Sequence, residues 1–278
     1  IPKTVDNDLP YTDCSPGFGS VAKYVAISTL EAGLDVKSMA ETSTRVFILE
    51  VMGRHAGWIA AASCLAASNQ GDPPHIILLP EIPFEKNKFI ARVKKTVKKY
   101  GYCVIVASEG TKTKAGKFLA DSGLTDAFGH KQLGGVAPVI SSMISKIGLK
   151  NHWAVADYLQ RSARHIASKT DLDQAYAVGV QAVKLAVAGK TAVKPVIKRL
   201  SDTPYKWQIG TAPLKNIANI EKSVPRKFIS KDGFAVTSAG RRYLNPLIQG
   251  EAPTSFKHGM PEVALLKKSF VKKKLKKF

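Results

Sequence analysis

The chain has 278 residues, 45% of them apolar and 23% charged, the balance of a globular protein able to bury a sizeable core. No apolar run approaches the roughly 18–20 residues of a membrane-crossing helix, and no signal peptide is visible. The formal net charge is +21, of which seven lysines in the last twelve residues supply a third, leaving about +14 elsewhere. That lysine-rich tail has few aromatics and no arginine, so it reads as a solvated basic end rather than a nucleic-acid surface. A basic body also suits a cleft for polyanionic small substrates. Cys14, Cys64 and Cys103 are odd in number and widely spaced, and read as reduced thiols of a cytoplasmic protein.

Taken in chain order, β-type and helix-type segments alternate, which predicts an α/β fold with a mainly parallel sheet. Ser15-Pro16 reads as a helix cap with proline in the first turn, predicting a helix to about Gly33 that buries Val21, Val25, Ile27 and Leu30. Residues 46–52 form a β-branched run ended by Gly53, with a helix over 58–67 behind it. A short strand is predicted over 76–79, and an amphipathic helix over 88–100 with Asn87 as its cap. A second buried strand follows over 103–107, then a polar, glycine-rich loop over 112–129. Residues 134–147 look helical, 153–159 extended, and 171–188 helical with Thr170 as cap and Gly189 as stop. Further on, 193–197 and 205–209 suit strands, and 230–243 contains a helix.

The chain opens on Ile1-Pro2-Lys3-Thr4-Val5-Asp6-Asn7-Asp8-Leu9-Pro10. Two carboxylates two residues apart, without context, are usually solvent-facing turn acids. Beside a lysine and a threonine they are also equipment for moving a phosphoryl group onto a hydroxyl: one a base, one a metal holder, the lysine facing an anion. The decapeptide resembles the catalytic segment of the phosphofructokinases, in the lysine-containing form of the pyrophosphate-dependent branch. Three later segments resemble that family in the expected order: Arg45 with Glu50-Val51-Met52-Gly53-Arg54-His55-Ala56-Gly57, Glu109-Gly110, and Tyr158-Leu159-Gln160-Arg161.

The resemblance implies two similar three-layer Rossmann-like domains with mainly parallel sheets, the first incomplete. It implies residues 1–17 as the end of the first domain and 18–170 as the second. Residues 171–235 return to the first, and 236–278 form a C-terminal extension. It further implies phosphoryl transfer from pyrophosphate to the 1-hydroxyl of fructose 6-phosphate, with Mg2+, in glycolysis. By resemblance Asp6 is the general base, Lys3 and Arg54 offset charge on the transferring group, and Asp8 organises the metal. Thr4 and Val5 lie against substrate, Met52 and Gly53 against the fructose phosphate, and Glu109 against the sugar hydroxyls. Arg161 is placed at the 6-phosphate, with Tyr158 and Gln160 of the same segment against substrate. Arg45 reaches the sugar phosphate of a neighbouring subunit, so a homodimer or homotetramer with a shared site is expected.

Serine and alanine replace the family's glycine pair after Arg161, and Lys169, Arg164 or His165 stand as candidates for a second phosphate-binding cation. The segment Gly129-His130-Lys131-Gln132-Leu133-Gly134-Gly135 imitates a phosphate loop but lacks its lysine-serine/threonine ending, and reads as a helix entry. The family's donor loop is expected upstream of residue 1, so the isolated chain is expected to bind fructose phosphate poorly and to turn over slowly or not at all. An ATP-dependent phosphofructokinase is the alternative donor reading. A non-catalytic fragment or basic polyanion-binding protein is the alternative of another class.

Overall fold

The apolar runs in the first half of the chain become a parallel sheet whose carboxyl ends all point the same way. A computed structural model describes every residue except 3, 126–130, 134, 271 and 273–278, and the backbone alone of 122–125 and 131–133. The strands up to residue 213 are β1 (Val46–Val51), β2 (Ile76–Leu78), β3 (Cys103–Ser108), β4 (Asp121–Thr125), β5 (Lys131–Leu133), β6 (Asn151–Val155), β7 (Val193–Asp202) and β8 (Tyr205–Pro213). The helices are α1 (Phe18–Met39), α2 (Trp58–Ala62), α3 (Lys86–Tyr100), α4 (Val136–Ser145), α5 (Leu159–Ser162), α6 (Lys169–Val187) and α7 (Ser238–Leu244).

The sheet runs β2-β3-β1-β6, all parallel. Alternate residues of each inner strand serve opposite layers. Leu49, Val51, Ile77 and Val106 join Phe18, Val21, Val25 and Trp58 of α1 and α2. Val46, Ile48, Ile76, Leu78 and Ile105 join Phe89, Val93, Ile140 and Ile144 of α3 and α4. Burial on both faces is why these strands are continuous apolar runs rather than alternating ones. The edge strand β6 is the exception, leaving Trp153 46% and Val155 40% exposed. A separate antiparallel hairpin, β7 with β8, packs beside α6.

The described residues of 1–17 contain no helix or strand, and Thr12 and Asp13 dock on that hairpin. Asp13 N–H donates to Ile197 O at 2.8 Å, Ile197 N–H to Thr12 Oγ1 at 3.0 Å, and Arg199 pairs with Asp13 at 3.0 Å.

Several local expectations change. The α1 helix starts after Gly17, and the Ser15 hydroxyl, buried without a partner, does not cap it. Its cap comes instead from Asp171 of α6, which accepts from Gly17 N–H at 2.8 Å and from Ser20 N–H at 3.0 Å. The helix also runs past Gly33, whose bare face lets Pro73 approach, and it turns Ala22, Ala26 and Val36 inward while Leu30 is exposed. Ser168, not Thr170, caps α6, accepting from Asp171 N–H. No side chain caps α3, which begins two residues early at Lys86. The segment 153–159 is not one extended run: the strand stops at Val155, and α5 begins at Leu159. The predicted loop 112–129 contains β4, which pairs antiparallel with β5 and whose polar, glycine-containing sequence Asp121–Thr125 carries little strand signal.

Candidate active site

Three neighbouring strands, β3, β1 and β6, deliver the predicted site residues to one carboxyl edge, where open α/β sheets bind ligands. Met52-Gly53 follow β1, Glu109 follows β3, and Tyr158, Gln160 and Arg161 lie just beyond β6. Each is tied to its neighbour strand. Gly53 N–H donates to Glu109 Oε1 at 3.2 Å, and Met52 N–H to Gln160 Oε1 at 3.4 Å. Glu109 N–H donates to Val51 O at 2.9 Å, and the Ser108 hydroxyl to Gly53 O at 2.5 Å. Gln160 in turn donates to Asp157 O at 2.9 Å.

Gly53 has φ +127°, and a Cβ there would sit 2.6 Å from Ala56 O. Gly110 is tighter, since a Cβ would meet Arg54 O at 2.1 Å. Gly110 lets the turn after β3 lie backbone against backbone on the turn after β1, and Gly53 lets that second turn fold back on its own Ala56 carbonyl, which no side chain would allow. Arg54 is thereby set at the rim, half-buried.

The opposing wall is the irregular segment around Asp6. Asp6 N–H donates to Thr4 Oγ1 at 3.0 Å. The Asp6 carboxyl is pushed up to about 6, chiefly by burial, then by the negative charges of Asp8 and Glu109, against the pull of Arg161 and the Thr4 hydroxyl. That set of influences brings residues from both ends of the catalytic motif and from two strand ends within electrostatic reach of one carboxylate. Arg161 lies 4.3 Å above the Tyr158 ring, which orients its guanidinium. Val5, Gln160, Arg161 and Arg164 share a cavity of about 350 Å³ beside the α1 N-terminus.

The structure therefore gathers Thr4, Val5, Asp6, Asp8, Met52, Gly53, Arg54, Glu109, Tyr158, Gln160 and Arg161. Arg45 stands apart, exposed ahead of β1 at the amino edge, roughly 20 Å along the strand from Met52. Lys3 lies outside the described residues, as do Gly129, His130 and Gly134 of the loop-like segment and 271 and 273–278 of the tail. Gly135 precedes α4, as a helix entry requires. Among the three candidates for a second phosphate cation, Lys169 is engaged by Asp173, while Arg164 lines the cavity with Arg161 and donates to Ala252 O at 2.7 Å.

Sequence reading passed over Glu50 and Lys222. Glu50 is buried inside β1 and accepts from Ala137 N–H at 2.7 Å, at the start of α4. Burial and the nearby Glu109 charge raise its carboxyl. An acid inside an otherwise apolar strand was the available signal. Lys222 reaches the segment after Asp6 from more than 200 residues away, and nothing local marks it.

The profile of the family described as Phosphofructokinase matches residues 1–186. The chain is 63% identical, over its whole length, to a pyrophosphate–fructose 6-phosphate 1-phosphotransferase of Halomonas elongata, covering 67% of that protein. A protein of the same name from Methylococcus capsulatus is 56% identical, with 66% of it covered. Among solved structures, a pyrophosphate-dependent phosphofructokinase from Marinobacter aquaeolei superposes with TM-score 0.89 at 57% identity, covering 99% of this chain and 66% of that one. The corresponding structure from Nitrosospira multiformis gives 0.90 at 56% identity, covering 100% of this chain and 66% of that one. The chain thus spans about two thirds of the length of the relatives it matches. Matched along its whole length by such relatives, and carrying the glycine-paired strand ends and the acid wall described above, the chain belongs to the phosphofructokinase family.

Proposed function

We propose that this chain carries the sugar-accepting side of a phosphotransferase that moves a phosphoryl group from pyrophosphate to the 1-hydroxyl of fructose 6-phosphate, a glycolytic step. The observation that carries the reading is the meeting of Asp6 with Asp8, Glu109 and Arg161 at one sheet edge. With its carboxyl near 6, Asp6 is ionised at neutral pH yet basic enough to take the hydroxyl proton as the oxygen attacks. Arg54 and Lys3 would offset the charge of the transferring group, which is most of what in-line phosphoryl transfer needs from protein. Glu109 has one oxygen engaged by Gly53 and one left for vicinal sugar hydroxyls. Arg161, steadied by Tyr158, offers a planar fork to the 6-phosphate, with Arg164 as its nearest companion.

Mg2+ fits the donor set. Asp6 and Asp8 are hard oxygen donors, and among the described residues no cluster of three or more acids, histidines or cysteines would form an all-protein cage. Mg2+ typically binds through one or two carboxylates with water and substrate phosphates. Asp8 would hold it, and the ion would neutralise phosphate charge.

The remaining expectations are part of the same proposal. Residues 1–17 and 171–235 belong to one domain, with 18–170 as the other. The docking of residues 12–13 on β7 supports this, as does the exposed stripe Tyr176, Val180, Val183 and Val187 along α6, which suits packing within that domain. Arg45 serves a neighbouring copy in a homodimer or homotetramer, consistent with its exposed place at the far end of β1. No helix among the described residues is long and apolar enough to cross a membrane, and the three buried free cysteines suit the reducing cytoplasm.

The test is fructose 1,6-bisphosphate formation by a polypeptide of the relatives' full length that contains this chain, with Mg2+ and either pyrophosphate or ATP. Turnover with pyrophosphate alone is expected. Turnover only with ATP overturns the donor assignment. Absence of both turnover and fructose 6-phosphate binding overturns the reading.

A further inference from the structure

Asp6 and Asp8 flank a residue that is fully buried. Asn7 is 0% exposed and sits at φ +58°, a left-handed conformation that asparagine tolerates and that turns the two acids about it. Its side chain is held from three directions. The amide nitrogen donates to Tyr243 Oη at 3.1 Å, and the amide oxygen accepts from Ser15 N–H at 3.0 Å and from Lys222 Nζ at 3.3 Å.

Lys222 makes the widest connection. Its ammonium also donates to Asp13 O at 2.8 Å and Thr12 O at 3.1 Å. Its backbone N–H donates to Asp8 O at 2.6 Å, and its carbonyl accepts from Trp58 Nε1 at 2.7 Å. The ammonium lies 5.3 Å from the centre of the Trp58 ring. Tyr243 Oη closes the circuit by donating to Asp13 O. A lysine has three N–H donors, and these three acceptors use them all. A cation near two catalytic acids would ordinarily be read as a phosphate ligand, but this one has no donor left for a substrate.

We propose that Lys222 is a positioning residue for the phosphoryl transfer: it pins Asn7 and the carbonyls behind it, and so fixes the directions of Asp6 and Asp8. This rests on the reading of Asp6 as the base. A segment without helix or strand has no ladder to set its side-chain directions, and a displacement of about 1 Å at a reacting group can cost on the order of 100-fold in rate.

The test uses a polypeptide of the relatives' full length that contains this chain, and a double-mutant cycle between Lys222→Met and Asp6→Asn, with pyrophosphate and fructose 6-phosphate as substrates. Lys222→Met is expected to lower kcat roughly 30-fold while the KM for fructose 6-phosphate moves less than about threefold. In the Asp6→Asn background the same change is expected to cost less than about threefold, because its effect runs through the lost carboxylate. Equal factors in both backgrounds would overturn the proposal, since a general loss of stability multiplies independently. A raised KM with kcat unchanged would also overturn it, as the mark of a phosphate ligand. If Lys222→Met does not fold, judged by its thermal unfolding transition, Tyr243→Phe replaces it in the cycle. That variant removes one bond to Asn7 and is expected to lower kcat roughly fivefold, with the same dependence on Asp6. Full turnover by Asp6→Asn alone would instead dismiss the catalytic reading beneath the proposal.

Discussion

The two walls of the site are built on different physics. The sheet-edge wall, Met52-Gly53, Glu109 and Gln160, is placed by strands whose ladder already sets each residue's direction, and its hydrogen bonds run between adjacent strand ends. The acid wall, residues 4–8, has no ladder, and its order comes from polar bolts sent in from residues 222 and 243, the first of them held in turn by Trp58. A strand end is precise by construction, whereas an irregular segment is only as precise as the distant groups that hold it. The price of the second arrangement is dependence on parts of the chain that touch no substrate.

The largest expected effect separates the walls by role. Asp6→Asn should lower kcat by about 1,000-fold while fructose 6-phosphate still binds, measured by initial rates and by equilibrium titration. Retained turnover would make the acid wall structural and leave the chemistry to the other side. Gly53→Ala comes next, and attacks the sheet-edge wall through its backbone. With φ +127° and the Ala56 carbonyl 2.6 Å from the new Cβ, it should destabilise the fold by roughly 2–3 kcal/mol in urea unfolding and weaken sugar-phosphate binding. A neutral result would mean that the turn after β1 can open away from the Ala56 carbonyl.

A finer test asks whether the walls communicate. As the proposed base, Asp6 works only when ionised, so with its free carboxyl near 6 kcat/KM should fall as pH drops through 6 and level off above it. The Glu109 charge is one of the groups holding Asp6 up, so Glu109→Gln should move that acid limb to lower pH, read from kcat/KM against pH. A limb that stays put or moves upward would show that the walls do not share a field. The smallest effect is a control away from both. Burial holds His75 down at about 4, with Nδ1 accepting from Val104 N–H at 3.0 Å. Below the ordinary histidine value the unfolded chain takes a proton that the folded chain refuses, so stability falls as pH drops from about 6.5 toward 4. Between pH 7.5 and 5.5 this amounts to roughly 1 kcal/mol, and His75→Gln should flatten that part of the stability profile without moving the acid limb.

What was legible in the sequence follows the same division. Runs such as Val46–Val51 and Cys103–Ser108 announced themselves because burial on both faces leaves few polar residues, and the glycines and acids after them marked the sheet edge. The bolts were not legible. Lys222 is an ordinary lysine in a loop, and its meaning lies in carbonyls more than 200 residues earlier. The same holds for α1, where Ser15-Pro16 imitates a local cap while the true acceptor is Asp171. Leu30 was expected inside for a related reason: a helix face lined by Ala22, Ala26 and Gly33 packs through small residues, which carry little signal in a hydrophobic pattern.

That remote cap has a consequence in time. Gly17 and Asp171 are separated by 154 residues, so α1 leaves the ribosome long before its first turn can be closed. At typical synthesis rates the wait is on the order of 10–30 s. During that interval the Gly17 and Ser20 amides, which Asp171 accepts from in the folded chain, have only water as partner. The start of α1 therefore stays open beside the acid wall until the arrival of α6 seals it.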